Sequence, residues 1–396
     1  MTVTTSVTFP LKKRIAITIK PTNDCNIRCR HCYHAEEGFA ETLLSVESAK
    51  KMMDVAIREY EEVFVILHGG EPTLWGVENV RRFYEYQAKL RKTHPNIVFR
   101  NSIQTNGILL DDNWIKLLAK YRVSIGLSFD GPHNDDLRFK TADVYRNMKR
   151  MQKLKMPFGV ICVESQKSIH SLPQTYKWFN DEGFNFKVLA LFMSGFAAKH
   201  KELELNINDY VTNLVDLYSY WLYDKNCNIS MRTFEDFLKI SDKKYCLEYG
   251  GSCVCHRICL NPDGRIYPCG RPYTDDFVLG HIDSLKKISD AYNTPAYKKI
   301  IELSAKRNAQ CQKKCEYFGI CKGGCVSSAI LEGSFDKIDN TSCIRARTLL
   351  SQVMEINKDI YKKFDQGRDF DQLNPRAVSI MQKVRDENYE FTRIHS

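Results

Sequence analysis

The run Ile15-Ala-Ile-Thr-Ile-Lys20 leads, after four residues, into Cys25-Asn-Ile-Arg-Cys29-Arg-His-Cys32-Tyr33. The first piece is short, apolar and rich in β-branched residues, the composition of a buried strand. The second places three thiols at x3 and x2 spacing on the loop leaving that strand, where they can wrap a small soft-metal site. A [4Fe–4S] cluster normally takes four cysteines. No fourth lies nearby in the sequence, so one iron would stay open for a substrate or cofactor. The competing reading is a zinc loop completed by His31 or His34.

Five more apolar runs recur beyond this stretch, at Val63–Leu67, Ile97–Gln104, Val123–Phe129, Phe158–Val163 and Phe186–Phe192. Helical patterns separate them at Val46–Tyr60, Val77–Lys92, Asp112–Tyr121, Ala142–Lys155 and Ser168–Glu182, and a sixth follows at Ile207–Tyr223. Strand and helix alternating six times predict a parallel sheet. Right-handed crossovers would curl it into an open or closed barrel. Residues with chemistry follow the strands directly. Cys25 follows the first, Gly69-Gly70-Glu71-Pro72 the second and Thr105-Asn106-Gly107 the third, while Ser128-Phe129-Asp130-Gly131 closes the fourth. All would sit at the C-terminal rim, where barrel enzymes do their chemistry.

The 396 residues, 43% of them apolar, suffice for one barrel-sized domain and a smaller one. No stretch of 18 apolar residues appears, so no membrane span or membrane partner is expected. Met1–Pro10 lacks the ordered basic segment, apolar run and cleavage site of a secretion signal, which points to the cytoplasm. The net charge of +10 is scattered and reads as a solvated surface, with room for an acidic peptide or anionic substrate. No motif supports nucleic-acid binding.

Fifteen cysteines are unusual for such a chain, and a cytosolic protein this rich in them binds metal more readily than it forms disulfides. Three lie in Cys25–Cys32 and ten in Cys246–Cys343; Cys162 and Cys227 stand alone and read as ordinary buried thiols. After about Lys239 the βα rhythm gives way to cysteines, glycines and short turns. Asn261-Pro262-Asp263-Gly264 reads as a hairpin turn, with Cys259 before it and Cys269 after it. This region has little apolar material for a core, so metal is expected to stabilise it. From Cys343 onward the chain reads as helix, broken at Asn374-Pro375.

Cys-x3-Cys-x2-Cys after a first strand resembles the signature of the radical S-adenosylmethionine (SAM) superfamily. The resemblance covers Ile15 to about Lys239 and implies a partial (β/α)6 TIM-like barrel of α/β class. It implies that Cys25, Cys29 and Cys32 ligate a [4Fe–4S] cluster whose open iron binds SAM. One electron then splits SAM into methionine and a 5′-deoxyadenosyl radical, which abstracts a substrate hydrogen. Gly69, Gly70, Glu71 and Pro72 match the family's GGEP motif, whose edge and Glu71 would hold the SAM amino group. Tyr33 would lie against the adenine. Ser128 and Arg138 match ribose- or carboxylate-binding positions of the sulfatase-maturase branch, and Gln104 and Asn106 would line the pocket. The bland readings of these residues are a glycine-rich strand exit, a packing aromatic and a surface arginine.

Cys253, Gly264-x4-Cys269, Cys311-x3-Cys315-x5-Cys321-x3-Cys325 and Cys343 resemble the SPASM extension of peptide-modifying radical SAM enzymes. The first gap is x3 where that pattern has x2. The resemblance implies two auxiliary [4Fe–4S] clusters, three clusters in all. Cys246, Cys253, Cys269 and Cys325 would hold the nearer one, and Cys311, Cys315, Cys321 and Cys343 the farther. Cys255 and Cys259 are then surplus, and either could replace an assigned ligand. Spacing alone also permits two four-thiolate zinc sites. The expected organisation is a barrel over 1–239, a small cysteine-rich SPASM domain over 240–345 and a helical segment over 346–396.

Three functions compete. The first is maturation of a ribosomal peptide by a carbon–carbon or thioether cross-link. The second is an anaerobic sulfatase maturase, which makes formylglycine. The third is a metal-bearing binding module without catalysis. The resemblance implies a peptide or protein substrate and an electron donor such as flavodoxin or ferredoxin. In the sulfatase maturases an Asp after the Cys of Gly-x4-Cys is the catalytic base; here Gly270-Arg271 follows Cys269. That departure favours the first reading over the second, and the catalytic residues stay unassigned.

Overall fold

The computed structural model describes residues 14–34, 42–239, 255–271, 274–334, 337–368 and 370–394. Each expected strand forms within two residues of its apolar run: β1 Arg14–Ile19, β2 Glu62–Leu67, β3 Val98–Thr105, β4 Ser124–Ser128, β5 Phe158–Glu164 and β6 Phe186–Ala190. Neighbours pair in parallel from β1 through β6. Helices at Val46–Ala56, Val77–Thr93, Asp112–Lys120, Thr141–Lys153, Leu172–Glu182 and Ile207–Tyr223 accompany them. Their starts follow capping chemistry. The side chains of Ser45, Asp111 and Asn206 accept the backbone N–H groups that open the first, third and sixth of these helices. The expected helix over Ser168–Glu182 begins as a 3-10 turn, Ile169–Ser171, and turns α-helical only at Leu172. Pro173, lacking an N–H, sits in that new first turn at no hydrogen-bond cost.

One face of the sheet is fully closed. Ile15, Ile17, Ile19, Val63, Val65 and Leu67 have no exposure, and each such side chain contributes roughly 1.5–3 kcal/mol on burial. Alternate residues on the other face, including Gln104, Ser128, Ile161 and Val163, line a cavity instead of a packed centre. The sheet does not close on itself, so its inner face stays partly open, unlike the filled interior of an eight-stranded barrel.

The cysteine-rich region joins the same sheet. β7 (Arg257–Leu260) lies parallel to β1, with Thr18 opposite Cys259, and continues through an antiparallel hairpin into β8 (Arg265–Tyr267) and β9 (Gly280–His281). The strand order is β6-β5-β4-β3-β2-β1-β7-β8-β9. The turn at Asn261–Gly264 is the expected one: Gly264 adopts φ 83° and Gly264 N–H donates to Asn261 O. Cys246 and Cys253 lie outside the described residues.

The region also contains a 20-residue helix, Pro295–Lys314, where short turns were expected. Its buried side chains are only Tyr297, Ile300, Arg307 and Cys311, a stripe too thin to register as apolar periodicity. The signal that could have found it is its start, where Thr294 Oγ1 accepts from Tyr297 N–H and proline occupies the first position. At the C-terminal end, Thr341–Asp365 and Pro375–Ile394 are separate helices, so the break is wider than Asn374-Pro375 alone. The first of them docks on the barrel. Asn357 Oδ1 accepts from Tyr218 Oη at 2.6 Å, and its Nδ2 donates to Phe237 O at 2.7 Å.

Candidate active site

The loop carrying Cys25, Cys29 and Cys32 is pressed onto the exit of β2. A Cβ on Gly69 would stand 2.3 Å from Thr22 O, and one on Gly70 would stand 2.1 Å from Asp24 O. Only glycine lets the two backbones approach this closely, and Gly70 N–H and Glu71 N–H donate to Thr22 O and Asp24 O. Pro72 opens a short 3-10 turn behind the loop, where Glu71 acts as its cap.

Glu71 is 1% exposed and braces two strand exits. Its Oε1 accepts from Thr73 N–H, Thr73 Oγ1 and Thr105 Oγ1, and its Oε2 from Asn106 N–H at 2.8 Å. Burial raises its pKa, against the pull of these donors. Asn106 in turn donates to Asn26 Oδ1 at 2.7 Å, and its Nδ2 stands 3.8 Å from Cys25 Sγ. Gln104 donates to Ser128 Oγ at 2.9 Å through the space that Gly126 leaves open, where a Cβ would meet Gln104 Oε1 at 2.2 Å.

Arg138 is 9% exposed and locked by Asp130, with Nε donating to Asp130 Oδ2 at 2.7 Å. Asp130 Oδ1 accepts from Val163 N–H. The arginine is therefore no surface residue. Behind it Glu164, buried at the end of β5, has its pKa lifted by burial to about 7, although Ser168 Oγ donates to it at 2.6 Å. The far end of the cysteine loop is clamped from beyond β6, by Ala197 N–H on Cys32 O and Ser194 Oγ on Tyr33 O.

One cavity gathers these groups. Cys25, Cys29, Cys32, Tyr33, Gly69, Gly70, Glu71, Gln104, Asn106, Ser128 and Arg138 line it together. Sequence reading did not place four of its walls in this cavity: His34, His68, the Leu189–Phe192 segment and Arg271. Position at a strand exit was the available signal for His68 and Phe192, since both end apolar runs. His68 Nδ1 accepts from Gly69 N–H at 2.7 Å, and burial first, then Lys20, lowers its pKa to about 4.

The three thiols line one cavity and are the donor type that an iron–sulfur cluster takes. Burial lifts Cys25 to about 11 and Cys29 to about 12, so without metal they hold their protons, which a bound metal would displace. Among the described residues no three His, Cys, Asp or Glu side chains stand close enough to enclose one metal ion. His31, offered as a zinc ligand, is instead buried with Nε2 facing Asp130 at 3.9 Å.

A second pocket is walled by Cys311, Cys315, Cys321, Cys325 and Cys343. Cys321 sits within electrostatic reach of Cys343, Cys311 and Cys315, the set expected for the farther cluster, and burial raises it to about 12. Arg307, 6% exposed, closes this pocket by donating to the carbonyls of Gly323 and Ser334. Cys259, fully buried on β7, has its pKa raised to about 12, by burial first, and Cys269 is near enough to add to the rise. Cys255 Sγ accepts from Tyr297 Oη at 3.6 Å. No helix among the described residues is long and apolar enough to cross a membrane.

Comparison with known proteins agrees with this geometry. The family profile of the radical SAM superfamily matches residues 19–178, and that of the SPASM iron–sulfur cluster-binding domain matches 253–316. A cysteine-type anaerobic sulfatase-maturating enzyme of Clostridium perfringens is 30% identical over 335 residues, covering 78% of this chain and 88% of that protein. The solved structure of native anSMEcpe with bound AdoMet and Cp18Cys peptide superposes with a TM-score of 0.74 at 26% identity, over 88% of this chain and 99% of that one. SuiB of Streptococcus suis bound to precursor peptide SuiA shares the fold, with a TM-score of 0.60 at 19% identity over 83% and 76% of the two chains.

Proposed function

Because this chain belongs to the radical SAM superfamily and carries a SPASM domain, we propose that it oxidises one side chain of a peptide or protein substrate and joins it to a neighbouring group. The observation that carries this reading is the two-sided cavity. On one side stand the three-cysteine loop and the exits of β2 and β3; on the other stand Leu189–Phe192 and Arg271. Polypeptide as the substrate class is supported by the peptides bound in the similar structures.

Cys25, Cys29 and Cys32 would hold the cluster, and SAM bound beside it would supply the chemistry of hydrogen-atom abstraction. The chain's own part is binding and orientation. Arg138, held by Asp130, presents a fixed guanidinium to the SAM carboxylate. The Gly69–Gly70 edge, braced by Glu71, faces the amino group. Gln104 and Ser128 face the ribose, and Tyr33 the adenine. Ile161, Val163, Leu191 and Phe192 keep water from the reacting carbon. The substrate would lose a hydrogen atom to the SAM-derived group, a proton to solvent and an electron to an auxiliary cluster, and the new bond would close between its own atoms. The net change is two hydrogens. Cys269 and the second cysteine pocket would hold the auxiliary clusters, and a flavodoxin or ferredoxin would provide the initial electron.

Formylglycine formation is the second reading, favoured by the sulfatase-maturating relatives. Against it stands the loop after Cys269. A Cβ at Gly270 would lie 2.9 Å from the Thr18 methyl, and Thr18 is β-branched and stiff. A carboxylate side chain does not fit there unless β1 gives way.

Mass spectrometry of peptides after anaerobic incubation with holoenzyme, SAM and reductant tests the two. Loss of two hydrogens, retained sulfur and no reaction with a carbonyl reagent support the cross-link. A carbonyl-reactive product from a sulfatase-derived Cys or Ser peptide establishes formylglycine instead.

A further inference from the structure

The sheet ends at β6, and the ladder tells which of that strand's backbone groups face outward. Val160 N–H donates to Asn185 O, and Leu191 N–H donates to Glu164 O. In a parallel pair of this register, the odd-numbered residues of β6 turn their N–H and C=O groups toward β5. Phe186, Val188 and Ala190 turn theirs toward the outer edge. The first two are engaged there. Phe186 N–H donates to Ser230 O. Val188 N–H donates to Thr233 Oγ1 at 2.9 Å, and that hydroxyl donates to Val188 O at 3.1 Å. The covering segment lies parallel to β6 at Met231 and then leaves the edge in the helix Arg232–Leu238. Ala190, the next outward-facing residue, has no hydrogen-bond partner on this edge among the described residues.

The bare end of the edge stands at the cavity, since Leu189, Ala190, Leu191 and Phe192 all line it. An unpaired N–H and C=O on a strand edge form a template for one more strand. A polypeptide is the substrate class that brings the matching groups. Val163 and Leu189 stand opposite each other and both line the cavity, so that face of the sheet is the inner one. Successive side chains alternate between faces. A substrate residue in register with Ala190 therefore points away from the cavity, and its two sequence neighbours point inward with Leu189 and Leu191.

We propose that the substrate polypeptide adds as a short strand to β6 beyond Thr233 and exchanges two main-chain hydrogen bonds with Ala190. The side chain that is oxidised belongs to a residue next to the one so paired. This deepens the polypeptide-maturase reading above and rests on it.

The test uses anaerobic holoenzyme with SAM and short fluorescein-labelled peptides holding one central Cys, read by anisotropy. Each peptide carries an ester in place of one peptide bond, which removes one N–H and weakens one carbonyl acceptor. Penalties are expected at the two bonds flanking a residue adjacent to the Cys, and nowhere else. The ester that removes the N–H facing Ala190 O should cost about tenfold in affinity, the order of one hydrogen bond, and the other somewhat less. Ala190→Pro removes an N–H that the ladder does not use, a change an edge strand tolerates. It should erase the penalty of the carbonyl that Ala190 N–H serves and keep the other, and the one erased gives the direction of the added strand. Hydrogen exchange on the unaltered holoenzyme is a second readout: peptide should slow exchange of the Ala190 amide. Equal binding of all esters, penalties remote from the Cys, both penalties surviving in Ala190→Pro, or an Ala190 amide indifferent to peptide overturns the inference alone. Binding of no peptide at all by enzyme that still cleaves SAM would sink the polypeptide reading together with it.

Discussion

The cavity at the barrel rim and the cysteine pocket around Arg307 are the two places proposed to hold metal, and they are held in different ways. At the rim, protein atoms alone fix the geometry: four donors on Glu71, the Asp130–Arg138 pair, and the Asn106–Asn26 contact. A continuous core lies beneath them. The cysteine pocket is closed by Arg307 and packs partly on the same core, through Leu350 and Cys321, and partly on a small apolar group of Phe277, Ile300, Val326 and Ala329. The first site is fixed by a dense set of side-chain hydrogen bonds; the second has fewer of them.

The largest effect should come from removing metal. Structural metal sites contribute on the order of 10 kcal/mol. Holoprotein should carry about twelve irons, from three four-iron clusters. Replacing Cys25, Cys29 and Cys32 with Ala should abolish SAM cleavage and remove one cluster while the barrel unfolds at a nearly unchanged denaturant concentration. Cys321→Ala should instead lower soluble yield and expose the 274–343 region to protease. Two zincs per chain with iron near four would remove the auxiliary clusters from the comparison.

Next comes the buried pair. Arg138→Ala leaves Asp130 charged and alone, a loss of about 3–5 kcal/mol that urea unfolding would show with or without iron. A loss near zero would show that the rim is not self-supporting.

Glu164 should make rim stability depend on pH. Its carboxyl is lifted by burial from 4.5 to about 7, so the folded state holds a proton that the unfolded state has released. Its contribution is fullest below pH 4.5, falls as pH rises through about 7, and is flat above that. At about 1.4 kcal/mol per pKa unit the loss is roughly 3 kcal/mol. Glu164→Gln should lack this slope, as unfolding at pH 5 and pH 8 would show.

The smallest expected effect, about 1–3 kcal/mol, is that of Gly70→Ala, which overpacks the contact with Asp24 O. Iron at the first site should fall while iron at the other sites stays.

The same contrast explains what the sequence revealed. Strands β1 to β6 were legible because one fully buried face and one half-buried face demand apolar runs such as Val63–Leu67, and rim residues announce themselves at strand exits. Glu71 and Asn106 were expected at the rim and line one cavity, but the sequence could not say that they brace one another, because that contact joins positions 35 residues apart. The helix at Pro295–Lys314 was missed because its stability comes from two neighbours and its ends rather than from a broad apolar face. Arg271 was visible as a departure from a pattern; only the packing of Gly270 on Thr18 shows where it points.

The pairing of β7 with β1 bears on how this protein can be taken apart. The two family profiles fall on separate stretches of chain, which invites cutting between them. Yet β1, the strand that launches the first cysteine loop, is an interior strand only because β7 covers its outer edge. A fragment ending near Lys239 would bare four residues' worth of unpaired N–H and C=O groups beside Ile17 and Ile19, an invitation to stack with its own kind. What looks in the sequence like a modular join is, in the sheet, a seam that cannot be unpicked.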